Sequence, residues 1–328
     1  MKVVSDLSFS VYHNEILGIV GESGSGKSVT AMSLMGLLPN QGESLHASRM
    51  DFAGQSLIPF DEKQFQALRG KQMGMVFQDP MSALNPSMRC GKQVLEMLDL
   101  HSPHPKKDHQ ATMLSLLDKV KLPDPKSIAN RYPHQLSGGQ QQRVLIAIAI
   151  ACNPKLLIAD EPTTALDPEV QEEIMALLKS IQSQNKMSIV LISHDLNLVQ
   201  HWADRVVVLN KGVCEEMGTA KQLFQRPQSP YTKGLINAIP PVDRRPKRLQ
   251  TVYDFINGIA KPTNETIAGR KKRHKRIYQQ SPILQVKGLE KTFRQGKQSH
   301  HALHKISFSL YPGETLGLVG NRPKVSPG

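Results

Sequence analysis

The sequence has few cysteines and no long apolar run. Its three cysteines, Cys90, Cys152 and Cys214, have neither disulfide-framework nor metal-ligand spacing, which is typical of a reducing compartment. The longest apolar run, Val144 to Cys152, has nine residues, whereas a membrane-spanning helix needs about 20. No apolar stretch follows Lys2, so we predict no signal peptide. With 39% apolar and 21% charged residues, the composition is that of an ordinary globular protein.

Positive charge is concentrated in one segment of the chain. The formal net charge is +13, and the stretch from Pro240 to Pro282 holds eleven Lys/Arg against three Asp/Glu, a net charge of +8. Because little excess charge is left elsewhere, we predict no surface for specific nucleic-acid binding. The runs RRPKRLQ and GRKKRHKR indicate a solvated basic linker over residues 239–282, with a weak contact to anionic lipid headgroups as the alternative.

The residues from Gly21 to Ser28, GESGSGKS, have the sequence of a complete phosphate-binding loop. An apolar strand, Ile16–Val20, leads into this phosphate loop, and its glycines let backbone N–H groups approach phosphate oxygens. A helix predicted to begin near Lys27 adds about half a positive charge at its N-terminus. Lys27 is placed to reach the β- and γ-phosphates of a nucleotide, and the Ser28 hydroxyl to ligate Mg²⁺.

Strand-like and helix-like segments alternate up to residue 220, which predicts an α/β fold, a P-loop NTPase domain with a mainly parallel sheet. Helical spacing of apolar residues over residues 88–135 predicts a helical insertion. The predicted strands are Ile16–Val20, Met73–Phe77, Leu156–Ala159, Ser188–Ile192 and Val206–Leu209. Histidines in a polar loop of the insertion lack cysteine or carboxylate partners at ligand spacing and are predicted to be solvated: His101, His104 and His109.

Polar side chains follow three of the predicted strands. Asp160 is placed to hold Mg²⁺ through water, and Glu161 to accept the proton of an attacking water as general base. Gln78 follows GMVF, where its amide can contact both the metal and the water. His194 follows SIVLIS, where it can sense the γ-phosphate. Because open α/β sheets bind ligands at the carboxyl ends of their strands, we predict that these side chains form one site.

A second glycine turn, Ser137 to Gln140, opens an apolar helix. Its backbone N–H groups form another anion-binding position. A single ATP does not need two such turns on one domain. We therefore predict that this turn contacts a nucleotide held by another domain.

The motifs GESGSGKS, FQDP, LSGGQQQRV, LLIADEPTTALD and SHD together resemble the nucleotide-binding domain of ATP-binding-cassette (ABC) proteins, over residues 3–235. The stretches GKSVTAMSLMGLLP, FQDPMSALNP, RYPHQLSGGQ and SPYTKGLINAIP are similar to the ATPases of oligopeptide and dipeptide importers. The resemblance implies ATP and Mg²⁺ as cofactors and a head-to-tail pair with a second ABC domain in trans, as a homo- or heterodimer. It also implies transmembrane permease subunits as partners and a peripheral location at the cytoplasmic face of the inner membrane, with indirect membrane contact.

The site residues that the resemblance implies fall into three groups. Hydrolysis is assigned to Glu161, His194 and Gln78, and Mg²⁺ binding to Ser28, Gln78 and Asp160. The segment from Thr164 to Asp167 is expected to line the seam between paired domains. The ATP-binding residues belong to the phosphate loop with the valine after it, to the second glycine turn, and to the end of that segment: Gly21, Glu22, Ser23, Gly24, Ser25, Gly26, Lys27, Ser28, Val29, Ser137, Gly138, Gly139, Gln140 and Asp167.

The chain begins to repeat itself near its end. Leu7–Gly21 and Ile306–Gly320 match closely at a constant offset of 299 residues. We predict an ABC domain over residues 1–238, the basic linker over 239–282 and the truncated start of a second ABC domain over 283–328, an arrangement that resembles the fused, tandem importer ATPases. The ending GNRPKVSP can be encoded so that restoring one nucleotide reads GESAKGKS, which suggests a single-base deletion in the gene.

Members of the family stack adenine on an aromatic residue in a strand before the phosphate loop. Phe293 offers this platform in the second copy, whereas the same offset places its counterpart in the first copy before Met1. We expect the first copy to lack the platform. Because base stacking contributes about 1–3 kcal/mol, the affinity for ATP should fall about tenfold or more.

The leading hypothesis is an ATP-binding and ATP-hydrolysing subunit that energises an ABC importer, with peptides as the transported class. A soluble tandem cassette acting on the ribosome is one alternative, since it would use the basic segment. A non-functional remnant of a tandem ABC ATPase is the other.

Overall fold

A computed structural model describes residues 3–38, 46–59, 61–241, 245–259, 263–295 and 298–319. The chain divides into two compact units. The first consists of Met1–Ile239 and Thr251–Ile259, and the second of Pro240–Gln250 and Ala260–Gly328.

A six-stranded sheet forms the centre of the first unit, in the order β4-β5-β6-β1-β7-β8. All neighbouring strands are parallel except β7 and β8, which pair antiparallel. The inner strands are apolar except at their ends, because both faces of the sheet are covered. The strands of this unit are β1 (Ile16–Val20), β2 (Asp51–Phe52), β3 (Gln55–Ser56), β4 (Met73–Val76), β5 (Leu156–Asp160), β6 (Ser188–Ile192), β7 (Arg205–Asn210) and β8 (Val213–Thr219).

The five predicted strands are present, and each observed end lies within one residue of the predicted end. Alternate residues of β1 enter two separate apolar clusters: Ile16 and Val20 belong to one, and Leu17 and Ile19 to the other. The two faces of the sheet therefore each carry a core, and the carboxyl ends of the strands remain at one edge.

The helices of the first unit connect and cover these strands. They are α1 (Lys27–Leu34), α2 (Glu62–Leu68), α3 (Pro80–Ala83), α4 (Cys90–His101), α5 (His109–Lys119), α6 (Pro125–Asn130), α7 (Gly138–Ala149), α8 (Pro168–Asn185), α9 (Leu196–Trp202), α10 (Ala220–Gln225), α11 (Pro230–Asn237) and α12 (Val252–Ile256). Within the described residues, no helix is both long and apolar enough to cross a membrane.

The predicted insertion over residues 88–135 contains α4, α5 and α6, which pack on one another. The prediction of a solvated histidine is wrong for His109. Its side chain is buried, with Nδ1 2.6 Å from Asp99 Oδ1 and Nε2 2.9 Å from the carbonyl oxygen of His104. The polar loop folds back so that α4 supplies a carboxylate for the ring. No cluster of metal-ligating side chains is found in the part of the chain that the structure describes.

The range predicted to be a linker contains ordered helices. Helix α12 lies within it and belongs to the first unit, where Val252 is buried and packs near Gly234 of α11. A capping box between Thr251 and Asp254 begins this helix. The prediction followed the net charge of the whole segment and overlooked the short apolar pattern of Val252 and Phe255 inside it.

The second unit contains helix α13 (Ile267–Tyr278) and an antiparallel pair, β9 (Leu284–Gln295) and β10 (Gln298–Leu310). Helix α13 contains the whole basic run GRKKRHKR. Phe293 lies on β9 with 59% of its surface exposed, and the Lys291 ammonium is 5.2 Å from its ring centre. The ending that interrupts the second phosphate loop, residues 320–328, lies outside the described residues.

Candidate functional site

The phosphate loop runs from the end of β1 to the start of α1, as its sequence predicts. Gly26 caps α1 with a φ of 100°, and Gly24 has a φ of 78°, so both adopt backbone conformations that favour glycine. The buried Lys27 ammonium donates to the carbonyl oxygens of Gly21 and Glu22, at 2.9 Å each. Burial lowers the pKa of Lys27, and the charges of Glu161 and Asp160 oppose that shift.

One polar atom of this loop is buried without a partner. Among the described residues, no group hydrogen-bonds the Ser25 hydroxyl. A buried donor left unpaired costs about 1–3 kcal/mol. A phosphate oxygen would satisfy it, so the loop fits the phosphate group that its sequence predicts.

Asp160 and Ser28 meet beside this loop. The Ser28 hydroxyl donates to Asp160 Oδ1 at 3.3 Å. Burial raises the pKa of Asp160, and the nearby Glu161 charge raises it further, whereas the bond from Ser28 and the charge of Lys27 lower it. Hydroxyl and carboxylate oxygens are hard donors of the kind that Mg²⁺ prefers. The donor set therefore fits Mg²⁺.

Replacing Asp160 by asparagine tests this description. The buried carboxylate costs free energy when ionised, because its folded-state pKa lies above its ordinary value. That cost is present at neutral pH and diminishes as the pH falls through the raised pKa. We expect D160N to raise the melting temperature of the nucleotide-free protein by a few degrees and to abolish the stabilisation by Mg²⁺ with ATP. Thermal unfolding with and without Mg²⁺ measures both effects, and a lower melting temperature would contradict the assignment.

Three side chains converge on one oxygen of Glu161. Gln78 Nε2 and the Thr164 hydroxyl donate to Glu161 Oε2 at 3.0 and 2.9 Å, and His194 Nδ1 lies 3.1 Å from the same atom. These residues follow β4, β5 and β6, which are neighbours in the sheet. Glu161 itself has a φ of 47°, and its backbone N–H donates to the carbonyl oxygen of Ile192 at 2.9 Å. A left-handed conformation at a non-glycine residue stores strain, which is common at functional sites.

The second glycine turn begins α7. Ser137 and Gln140 cap this helix reciprocally, and the turn is largely exposed. Within the described part of the chain, no hydrogen bond or ion pair connects residues 137–140 to the phosphate loop. The structure therefore brings Lys27, Ser28, Gln78, Asp160, Glu161 and His194 together and leaves the turn apart from them.

The segment from Thr164 to Asp167, which the resemblance implies would line a seam between paired domains, lies between these two groups. Thr164 contacts Glu161, and a side-chain carbon added at Gly138 would lie 3.5 Å from Leu166. Asp167 caps α8 by accepting the backbone N–H of Val170, whose side chain packs against Gly139. Sequence reasoning named Thr164 as a seam residue but missed its bond to Glu161. The sequence signal for this bond was a hydroxyl residue three positions after a carboxylate in a turn.

Sequence reasoning also missed a contact between the phosphate loop and α11. The backbone N–H of Glu22 donates to the Tyr231 hydroxyl oxygen at 3.3 Å, and that hydroxyl donates to Glu22 Oε2 at 3.4 Å. The two residues are 209 positions apart, so no local pattern pointed to the pair.

Comparison with known families agrees with this geometry. The ABC transporter family matches residues 4–164, which contain the phosphate loop, Gln78, Asp160 and Glu161. A second family, the oligopeptide/dipeptide transporter C-terminal region, matches residues 216–261. The second match covers both α11 and α12.

Curated relatives include the glutathione import ATP-binding proteins GsiA of Shigella boydii and Escherichia coli K12. Each is 40% identical over 337 residues, covering 98% of this chain and 53% of the relative. The chain thus spans about half the length of these relatives.

Solved structures with the same fold include a dimeric ATP-binding cassette in a post-hydrolysis state with ADP and Pi. It has a TM-score of 0.59 and 29% identity, and the match covers 66% of this chain and 90% of that one. CbiO1 of Clostridium perfringens, part of the ABC transporter complex cbiONQ, has a TM-score of 0.58 and 26% identity, covering 68% of this chain and 84% of that one. The chain therefore belongs to the ABC transporter ATPase family and carries the C-terminal region of its oligopeptide/dipeptide branch.

Proposed function

We propose that the first unit binds ATP with Mg²⁺ on the phosphate loop and hydrolyses it. The observation that supports this most strongly is the convergence of Gln78, Thr164 and His194 on Glu161 Oε2. Such an arrangement fixes a carboxylate beside the Asp160–Ser28 pair. Mg²⁺ would be held by Ser28, Asp160 and Gln78 and would neutralise the charge of the phosphates.

In this proposal each residue has a defined task. Lys27 and the loop N–H groups bind and orient the β- and γ-phosphates. Glu161 accepts a proton from the attacking water at its carboxylate, and His194 contacts the γ-phosphate. The two donors to Oε2, Gln78 and Thr164, hold the carboxylate in place together with the adjacent His194 ring and leave Oε1 for that proton. Ser137 to Gln140 would contact the nucleotide of a second ABC domain, since they lie apart from the phosphate loop of their own unit.

We further propose that the chain acts at the cytoplasmic face of the inner membrane as the energising subunit of an importer. The transported class would be peptides, because the oligopeptide/dipeptide C-terminal region is present and the named relatives are glutathione import ATP-binding proteins. The permease subunits would contact the helical insertion and the stretch after Gln78. Met81 and Leu100, exposed apolar residues at 72% and 74%, lie in those two segments.

The domain organisation stays part of the proposal. Residues 1–238 with α12 would form the ABC domain, and residues 283–328 would begin a second one, as the hairpin of β9 and β10 suggests. The matches to the ABC transporter family and to the oligopeptide/dipeptide C-terminal region favour an importer subunit over a ribosome-associated cassette or a remnant. A salt-sensitive association with ribosomes in place of permease-containing membranes would reverse that preference.

ATPase activity of the purified chain against its concentration tests the proposal. We expect the rate per chain to rise with concentration, because a working site needs the second glycine turn of another chain. Ser137→Arg should block that turn, whereas E161Q should remove the base. Mixing the two variants should restore activity, since one of the two mixed sites is intact. A rate of zero at every concentration would contradict hydrolysis by this chain alone.

A further inference from the structure

Helix α11 contacts the phosphate loop through Tyr231. Tyr231, in the first turn of α11, has 4% of its surface exposed. Its hydroxyl accepts the backbone N–H of Glu22 at 3.3 Å and donates to the Glu22 carboxylate at 3.4 Å. Burial raises the pKa of Tyr231 to about 12, so the hydroxyl keeps the proton that this second bond requires.

The peptide group between Gly21 and Glu22, whose N–H donates to Tyr231, is also bonded to Lys27 through its carbonyl oxygen. The Lys27 ammonium donates to the carbonyl oxygens of Gly21 and Glu22. Glu22 therefore has its N–H fixed by α11 and its carbonyl fixed by the lysine that contacts phosphate. The orientation of this peptide bears directly on where the Lys27 ammonium lies.

The start of α11 is itself anchored to β8. Glu216 accepts the backbone N–H groups of Gln228 and Ser229 at 2.9 and 3.0 Å. The Ser229 hydroxyl donates to Glu215 at 3.3 Å and accepts the N–H of Tyr231 at 3.2 Å. Tyr231 thus projects from a backbone fixed by two carboxylates of the neighbouring strand, and its position is set independently of the loop.

We propose that Tyr231 is a positioning residue for the phosphate loop, through which the C-terminal region sets the affinity for nucleotide. This inference rests on the proposed binding of ATP at the loop. It assigns to the matched C-terminal region, residues 216–261, a direct role in the ATP site. A shift of α11 would be transmitted to the loop through the Tyr231 hydroxyl.

The test compares Y231F, E22Q and the double variant in the full chain. Phenylalanine keeps the ring and removes the hydroxyl, so we expect the Kd for a fluorescent ATP analogue to rise about threefold to tenfold. The kcat should change less than twofold, because Glu161 is untouched. E22Q should have a smaller effect, since its backbone N–H still donates to Tyr231. The double variant should be no weaker than Y231F, because both substitutions act on one contact.

Y253F serves as the matched control, since Tyr253 lies in α12 with 69% of its surface exposed. It should leave the Kd unchanged. An unchanged Kd in Y231F would overturn the inference. Fully additive effects of Y231F and E22Q on the Kd would also overturn it. A lower melting temperature of Y231F, with kcat and KM changing together, would do the same. The Kd is measured without hydrolysis. A parent chain that binds the ATP analogue but hydrolyses no ATP would count against the proposed function, whereas the comparison of Kd values would still test this inference.

Discussion

Replacing Glu161 by glutamine should reduce kcat for ATP hydrolysis by about 10²–10⁴, the usual contribution of a general base. The amide keeps the length and shape of the carboxylate, so the hydrogen bond from the Thr164 hydroxyl can persist. It has no basic oxygen for the proton of water. Because Lys27, Ser28 and Asp160 are unchanged, the Kd for the ATP analogue should stay within a few-fold of that of the parent. Steady-state hydrolysis and nucleotide titration of the same preparation measure the two quantities.

Glu172→Gln supplies the control for this experiment. Glu172 lies on α8, is exposed, and makes no hydrogen bond or ion pair among the described residues. It should hydrolyse ATP at the parental rate. Parental hydrolysis by E161Q itself would show that another group accepts the proton, and Glu161 would then be a structural acceptor for Gln78, Thr164 and His194.

Much of the site could be predicted because its signals are local. A strand, a glycine loop and a helix start are adjacent in sequence, and Gly24 and Gly26 adopt backbone conformations that favour glycine. Gln78, Glu161 and His194 each follow an apolar strand, so the parallel sheet brings them to one edge. The order of the strands in the sheet was not needed for that conclusion.

The features that were missed depend on contacts between distant or unlike segments. Burial of His109 requires Asp99 of the preceding helix, and a polar run gives no sign that it folds back on that helix. Helix α12 is short and lies in a basic segment, so its apolar residues were hidden by the average charge. The bond between Tyr231 and Glu22 joins the two ends of the domain, and only the packing of α11 beside the loop creates it.

Replacing Lys27 by methionine should abolish tight nucleotide binding. Methionine fills a similar volume but donates no hydrogen bond, so the β- and γ-phosphates lose a charged donor. Hydrogen bonds to charged groups contribute about 1.5–3 kcal/mol each. Two of them correspond to an increase in Kd on the order of 10²-fold or more. Titration with the fluorescent ATP analogue measures this increase directly.

Lys27 also acts on its own surroundings, which separates this prediction from a general loss of folding. Its charge lowers the pKa of Asp160, so K27M should raise that pKa further and weaken the dependence of binding on Mg²⁺. Lys63→Met, an exposed lysine of α2, is the control and should bind ATP as the parent does. If K27M melted near the parental temperature yet bound ATP within threefold of the parental Kd, the loop would hold phosphate through its N–H groups alone. The role assigned to Lys27 would then be wrong.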